Sequence, residues 1–278
     1  MTSRRTDERP SASADERLAT RGLPGFGRET LAVAEIELRK LLRDPTEVLT
    51  RSVQPTLWLL IFGQVFTRVH AIPTGAMSYL DFMTPGVLAQ SVLFTSIFYG
   101  IAIIWERDLG ILHKMLVSPA HRSALVLGKA FSAGFRAIGQ AVIIYAVAFL
   151  LGVRLRFEVQ AIAGVLVAIL LGAAIFSTFS LVVACLVKTR ERFMGIGQVL
   201  TMPLFFASNA IYPVDIMPRW LQVLAHVNPL TYLVDTLRTL MVVGSQSAYG
   251  LGVDLAVLLG ARLLLVLAAA RLYPTVVR

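Results

Sequence analysis

The chain has 278 residues, of which 56% are hydrophobic and 15% charged, and its mean hydropathy is +0.71. About a quarter of the residues in a soluble domain are charged, so this composition excludes an ordinary water-soluble globule. The net charge of +9 does not indicate a nucleic-acid partner, because the basic residues flank apolar runs instead of forming one patch. Apolar runs of about twenty residues predict membrane-spanning helices.

The region before the first apolar run divides into two parts. Residues 1–27 are rich in Ser, Arg, Asp, Glu, Pro and Gly and lack the apolar segment of a signal peptide, which favours a disordered cytoplasmic tail. In residues 28–43 apolar positions recur at helical spacing opposite charged ones. This pattern predicts an amphipathic helix lying in the membrane interface.

Six apolar runs predict six transmembrane helices. Proline is tolerated in the first turn of a helix, and Pro55 is expected there in the first span. The chain is therefore predicted to be an all-α integral membrane protein with one transmembrane domain, residues 28–278. The predicted spans are residues 52–69, 80–104, 124–151, 159–187, 194–212 and 250–270.

Basic residues predict the orientation, because cytoplasmic segments of membrane proteins carry an excess of Lys and Arg. With the N-terminus in the cytoplasm, eighteen Lys and Arg fall on cytoplasmic segments and five on outer ones. The protein is therefore expected to be a multi-pass protein of the plasma (inner) membrane with both termini cytoplasmic. The five outer residues are Arg68, Arg154, Arg156, Arg219 and Arg238.

The outer segment before the last span, residues 213–249, is too polar to span a membrane and too apolar for a free loop. Its apolar residues recur at helical spacing around Trp220 and predict a short extracellular helix that is interfacial or re-entrant. Asn228-Pro229 is expected to end this helix, and a second short helix is expected to start near Thr231.

Several chemistries have no sequence motif here. The only Gly-Lys pair, Gly128-Lys129, lacks the remainder of a phosphate-binding loop, so we expect neither an ATPase site nor an enzyme. The four histidines are scattered, and no metal or cofactor site is predicted. Within the spans, only Asp81 and Asp254 are acidic, and both lie near outer ends. Proton-driven pumps usually use buried acidic residues, so transport energy would have to come from a partner.

Three groups of residues occur in order along the chain and resemble the ABC type-2 permease family, especially its daunorubicin-resistance-like drug exporters. The first is Leu41-Leu42-Arg43-Asp44-Pro45 before the first span. The second is the 105–122 loop, with its Glu-Arg, Gly, Leu, Ser-Pro and Arg, followed by Gly128-Lys129. The third runs from Ile211-Tyr212-Pro213 to Asn228-Pro229-Leu230-Thr231-Tyr232. Ile111 departs from the family pattern, which often has Thr after the glycine.

The resemblance implies an exporter permease that moves a drug, natural product or lipid and confers resistance by efflux. It implies a homodimer, or a pair with a similar permease, in membrane lipid. Two cytoplasmic ABC ATPase subunits would bind ATP and Mg, with no cofactor on this chain. The alternatives are an ABC permease for a lipid-linked polysaccharide and a membrane enzyme or scaffold. An enzyme would need polar catalytic groups clustered at one membrane face, and the sequence shows none.

By the same resemblance, the 105–122 loop would be the coupling helix that docks on the ATPase, although an ordinary interfacial loop is the alternative. Leu109, Leu112, Met115 and Leu116 form an apolar stripe at helical spacing there. The candidate coupling residues are Glu106, Arg107, Asp108, Gly110, Leu116, Pro119 and Arg122.

Polar residues within the spans give a second set of candidates. Four amides in four different spans could line a substrate path or form hydrogen bonds between helices; they are Gln64, Gln90, Gln140 and Gln198. Arg136 and Arg262 are expensive at their predicted depths, so each either snorkels or faces the dimer interior. Gly164 and Gly172 are expected to serve helix packing.

Overall fold

A computed structural model describes residues 46–70, 72–75, 77–108, 122–187 and 189–272, together with Glu35, Arg39 and Arg43. These residues are mainly helical. The helices are α1 (Thr46–Leu57), a π-helical segment (Trp58–Gly63), α2 (Gln64–Val69), α3 (Tyr79–Asp108), α4 (Arg122–Leu150), α5 (Val159–Leu186), α6 (Arg190–Phe206), a 3-10 turn (Val214–Ile216), α7 (Arg219–Val227), α8 (Pro229–Met241) and α9 (Leu251–Leu272).

Four helical segments are long and apolar enough to cross a membrane, among the residues that the structure describes. They agree with the second, third, fourth and sixth predicted spans. Helix α5 is central, because it packs against α3, α4, α8 and α9. The four segments are Tyr79–Phe98, Ala133–Leu150, Val159–Leu186 and Leu251–Leu272.

The predicted start of the first span at residue 52 is wrong. The helix begins at Thr46 and continues through the π-helical segment to Val69, so Pro55 lies well inside it. Polar residues before position 52 are accommodated because their hydroxyl groups bond within the helix. Thr50 donates to the carbonyl of Thr46 at 2.7 Å, and Ser52 donates to the carbonyl of Val48 at the same distance.

The predicted end of the fifth span at residue 212 is also wrong, because α6 ends at Phe206. Side chains from later in the chain satisfy the carbonyl groups at its end. The Asn228 amide donates to the carbonyls of Leu204, at 2.6 Å, and Ala207, at 3.1 Å. The Tyr212 hydroxyl donates to the carbonyl of Phe206 at 2.6 Å. The backbone can therefore leave the helix here without unpaired groups.

The predicted pair of short helices after the fifth span is confirmed as α7 and α8. Helix α8 begins at Pro229, two residues before the predicted start, because Asn228 is its N-cap. The Asn228 Oδ1 atom accepts a hydrogen bond from the Leu230 amide at 3.0 Å, and proline suits the first helical position.

Helix α8 lies inside the bundle. An added Cβ at Gly172 of α5 would lie 2.6 Å from Leu233 Cδ2 of α8. Gly172 is thirteen residues from the start of α5, or about 20 Å along the helix at about 1.5 Å per residue. The α7–α8 hairpin therefore enters the bundle from the end formed by residues 151–158 and 242–250, which we call the distal end. The packing role expected of Gly172 is confirmed.

The predicted tail, residues 1–27, lies outside the described residues. So does the predicted amphipathic helix at 28–43, apart from Glu35, Arg39 and Arg43, which are helical and exposed. Arg39 Nη2 lies 2.5 Å from Glu35 Oε1, one helical turn away.

Gly86 of α3 allows the closest backbone approach between α3 and the turn after α6. An added Cβ would lie 2.3 Å from the Ala210 oxygen and 2.7 Å from the Ala210 Cα. We predict that Gly86→Ala destabilises the protein by about 1–3 kcal/mol, because backbone must move to relieve the overlap. The measurement is the thermal unfolding midpoint of purified protein.

Gly260→Ala is the control for this prediction, because nothing lies within 4 Å of its added Cβ. This substitution should leave the midpoint unchanged or raise it slightly, since alanine favours helix. Equal midpoints for the two variants would contradict the close contact.

Candidate functional site

A polar pocket lies between α1, α3 and α4 within an otherwise apolar bundle. Its cavity measures about 110 Å³. It opens on the surface of the chain, where Phe98 is 41% exposed and Gln54 is also exposed. We call this the polar pocket. Its lining residues are Thr50, Arg51, Gln54, Pro55, Gln90, Ser91, Phe94, Thr95, Phe98 and Gln140.

Two glutamines form the inner wall of the polar pocket. Gln140 Oε1 accepts a hydrogen bond from the Thr95 hydroxyl at 2.7 Å, which links α4 to α3. Gln90 is only 3% exposed, and its Oε1 atom has no hydrogen-bond partner. Buried polar atoms are nearly always hydrogen-bonded. The unpaired oxygen therefore indicates a site that a bound molecule could complete.

A cation and two aromatic rings form the outer wall. The Arg51 guanidinium carbon lies 4.7 Å from the centre of the Phe98 ring, a distance at which cation–π attraction contributes. The described lining side chains include no carboxylate. The polar pocket therefore combines a positive charge, neutral amides and hydroxyls, and aromatic surface.

A second pocket of about 80 Å³ adjoins the polar pocket and shares Phe94 and Phe98 with it. Its far wall is α6. The two pockets together form a continuous surface from α4 across α3 to α6. The α6 residues that line the second pocket are Phe193, Met194, Gly197, Gln198 and Thr201.

The structure brings together some of the candidate glutamines. Gln90 and Gln140 line the polar pocket, and Gln198 lines its neighbour. Gln64 is exposed on α2 and lines neither of these pockets. Gln54 was missed, because the misplaced start of the first span put it in the first turn beside Pro55. Its proximity to Pro55 and two hydroxyl residues is the signal that could have found it.

The candidate coupling residues fall mostly outside the described side chains. Glu106, Arg107 and Asp108 form the last turn of α3, and Arg122 begins α4, but only their backbone is described. The other three candidates, Gly110, Leu116 and Pro119, lie outside the described residues.

Arg262 neither snorkels nor faces a dimer interior, so neither alternative for it is right. Its Nη1 atom donates to the carbonyl of Ala174 and to the hydroxyl of Thr178 on α5. A backbone carbonyl and a hydroxyl group thus satisfy part of the guanidinium within the bundle, which lowers the cost of placing it there. Arg136 is half-buried on α4.

Arg238 is wrongly placed among the outer charges by the sequence, because it is 5% exposed within the bundle. Its Nη2 atom donates to the carbonyl of Asn209 at 2.7 Å, and both Nε and Nη2 lie 3.3 Å from the carbonyl of Phe82. The guanidinium carbon lies 3.8 Å from the centre of the Phe82 ring. Arg238 therefore joins α8 to the start of α3 and to the turn after α6.

A pair of buried carboxyl groups joins α8 to α9 at the distal end. The Ser247 Oγ atom lies 2.8 Å from Asp235 Oδ2 and 2.9 Å from Asp254 Oδ2. Asp235 Oδ2 also accepts from the Ala248 amide at 2.8 Å. A hydroxyl group has one proton and can donate to one carboxylate only. Both short contacts are hydrogen bonds only when one carboxyl group is itself protonated.

Tyr249 lies beside this pair, in the loop between α8 and α9. Its ring centre is 5.2 Å from that of Tyr232 and 5.7 Å from that of His226. Burial, reinforced by Tyr232 and the nearby acidic groups, raises the pKa of Tyr249 to about 12. Its hydroxyl group therefore stays protonated and adds no further negative charge here.

These features define a helical integral membrane protein with a hairpin that enters the bundle and a polar pocket among its spans. Residues 28–242 match the family described as ABC-2 type transporter. The chain therefore belongs to the ABC-2 type transporter family.

Three relatives illustrate this membership. A transport permease ycf38 of Cyanophora paradoxa is 32% identical over 77% of this chain and 74% of its own length. The daunorubicin resistance ABC transporter permease protein DrrB1 of Streptomyces coeruleorubidus is 25% identical over 78% of this chain and 75% of its own. The inner membrane transport permease YadH of Escherichia coli K12 is 23% identical over 73% and 78%.

The link between α8 and α9 yields a stability prediction. Ser247→Ala removes the hydroxyl between the two carboxyl groups and the acceptor for the Gly250 amide, which lies 2.6 Å away. We expect a loss of about 1–3 kcal/mol, the cost of leaving buried polar groups without partners. The midpoint of thermal unfolding, followed by intrinsic fluorescence, measures it.

Asp254→Asn tests the protonation argument in the same assay. An asparagine amide can donate as a protonated carboxyl group does, so this variant should stay within about 0.5 kcal/mol of the natural chain. Gln246→Ala, at an exposed neighbour, is the control and should be neutral. A neutral Ser247→Ala would contradict the link, and a strongly destabilised Asp254→Asn would contradict the shared proton.

Proposed function

We propose that this chain is the membrane-spanning subunit of an ABC exporter that moves a hydrophobic or amphipathic compound out of the cytoplasm. The observation that carries the proposal is the family match over residues 28–242. Two further findings support it. Relatives are named as drug-resistance permeases, and the polar pocket offers hydrogen-bonding groups at a depth where apolar spans surround it.

The ATPase would be a separate cytoplasmic protein. The sequence has no phosphate-binding loop, so ATP and Mg would bind on that partner, and this chain would carry no cofactor. The segment between α3 and α4, residues 105–122, would dock on the partner. This placement is supported by the position of Glu106, Arg107 and Arg122 at the facing ends of two long helices.

The chain would cross the inner membrane six times. The helix from Thr46 to Val69 would be the first span and α6 the fifth, in addition to the four long apolar segments. The eighteen-to-five charge bias places both termini in the cytoplasm, and the distal end then faces outward. A relative named as an inner membrane permease supports this location.

Two copies of the chain would form the transport pathway. The helices α1 and α6 support this arrangement, because they carry apolar residues that no other helix of the chain covers. Exposed residues on these two helices include Val53, Leu57, Met194, Ile196 and Val199. The transmembrane domain would extend from residue 28 to 278, behind the disordered tail.

The coupling proposal predicts the phenotype of Glu106→Ala and Arg107→Ala. Losing charge-assisted contacts in a docked interface costs on the order of 2 kcal/mol or more. We therefore expect normal membrane abundance together with weaker co-purification of the ATPase and reduced export. The measurement pairs quantitative immunoblotting of membranes with pull-down of the ATPase encoded beside this chain.

Glu158→Ala is the control for this experiment, because Glu158 is an exposed residue at the distal end. It should leave ATPase binding and export intact. Full ATPase binding and full export by both loop variants would refute the coupling role of residues 105–122. Loss of the loop variants from the membrane would instead assign these residues a structural role.

A further inference from the structure

We infer that the polar pocket binds the head group of an amphipathic ligand, and that this head group is a hydrogen-bonding group that is neutral or negatively charged, never positively charged. The inference rests on the proposed transport function and adds the chemical class of the substrate. It comes from the size of the cavity, its unpaired polar atoms and the sign of its charge.

The size of the polar pocket limits what enters it. A water molecule occupies about 30 Å³ of the liquid, so a cavity of about 110 Å³ takes only a few non-hydrogen atoms. That volume fits a head group and excludes a whole drug-sized molecule. The remainder of the ligand would lie over Phe94 and Phe98 and along the second pocket, where the exposed Met194 continues the apolar surface.

The inner wall requires hydrogen bonds from the ligand. Gln90 is buried, and its Oε1 atom has no partner. Gln140 uses its Oε1 atom to accept from Thr95, which leaves its Nε2 atom to donate. The two side chains together offer an acceptor and a donor in one small cavity. A head group such as an amide or a hydroxyl could satisfy both.

The charge of the wall excludes a cation. Arg51 lines the polar pocket, and the described lining side chains of both pockets include no carboxylate. Like charges repel strongly where water is scarce, because the local dielectric constant is low. A positively charged head group would meet Arg51 without a counter-charge in the lining, whereas a neutral or anionic head group would not.

The test compares three ligands that differ only in the head group. The purified chain is placed in phosphatidylcholine nanodiscs with tritiated dodecanamide, which is displaced by unlabelled dodecanamide, dodecanesulfonate or dodecyltrimethylammonium. We expect the amide and the sulfonate to compete at least about tenfold more strongly than the ammonium compound, a difference set by one unfavourable charge contact.

Substitutions at Gln90 assign the binding to the polar pocket. Gln90→Leu should weaken dodecanamide binding about tenfold, since it removes the polar group that the amide completes. Gln90→Glu adds a carboxylate and should reverse the order, so that the ammonium compound gains and the sulfonate loses. Gln140→Leu gives a second, independent variant. Gln64→Leu, at an exposed glutamine away from both pockets, is the matched control and should change nothing.

The outcomes separate this inference from the transport proposal. Strong competition by dodecyltrimethylammonium that Gln90→Leu abolishes would overturn the charge inference and leave the pocket as a binding site. Binding of all three compounds that ignores both Gln90→Leu and Gln140→Leu would overturn the pocket itself. ATP-dependent export by the chain with its ATPase, measured separately, decides the transport proposal in either case.

Discussion

The constraint on which the structure depends is that every backbone polar group must find a partner inside the protein wherever water is absent. Helices meet this constraint along their length, but the chain breaks its helices between α6 and α8, within the bundle. Asn228 resolves the break. Its side chain accepts from the first turn of α8 and donates to carbonyls at the end of α6, so one residue caps two helices.

The hairpin that Asn228 permits is held by charges that would be costly alone. Arg238 bonds to carbonyls on two other segments, and Asp235 accepts from the loop before α9. These contacts run from α8 to α3, to the turn after α6 and to α9. Helix α8 is thus attached on three sides, whereas α7 presents Trp220 and Val227 outward, at 66% and 77% exposure. This asymmetry suits a hairpin with one face in the bundle and one in lipid.

The sequence predicts well what depends on long apolar runs. The limits of α5 and α9 lie within two residues of the predicted spans, because hydrocarbon length and apolar composition define them together. The start of α1 and the end of α6 could not be predicted, since hydroxyl groups within the helix and the distant Asn228 side chain decide them. The burial of Arg238 likewise depends on carbonyls of residues 82 and 209, which no local pattern reveals.

The candidate site shows the same division. Amides within apolar spans mark Gln90, Gln140 and Gln198 from the sequence, because such groups need a reason to be there. Their arrangement around a common surface depends on how α1, α3, α4 and α6 pack, so Gln54 joins the polar pocket and Gln64 does not. The comparisons identify the family but leave the cargo to be determined from the pocket itself.

The most direct test of the account is the accessibility of single cysteines in a Cys185→Ser background, with a membrane-impermeant thiol reagent applied from either side. Gln246→Cys should react from outside, Thr275→Cys from inside only, and Val227→Cys from neither side, because the tip of the hairpin lies within the membrane. Reaction of Val227→Cys from outside as fast as Gln246→Cys would contradict the re-entrant hairpin. Reaction of Thr275→Cys from outside would contradict the orientation.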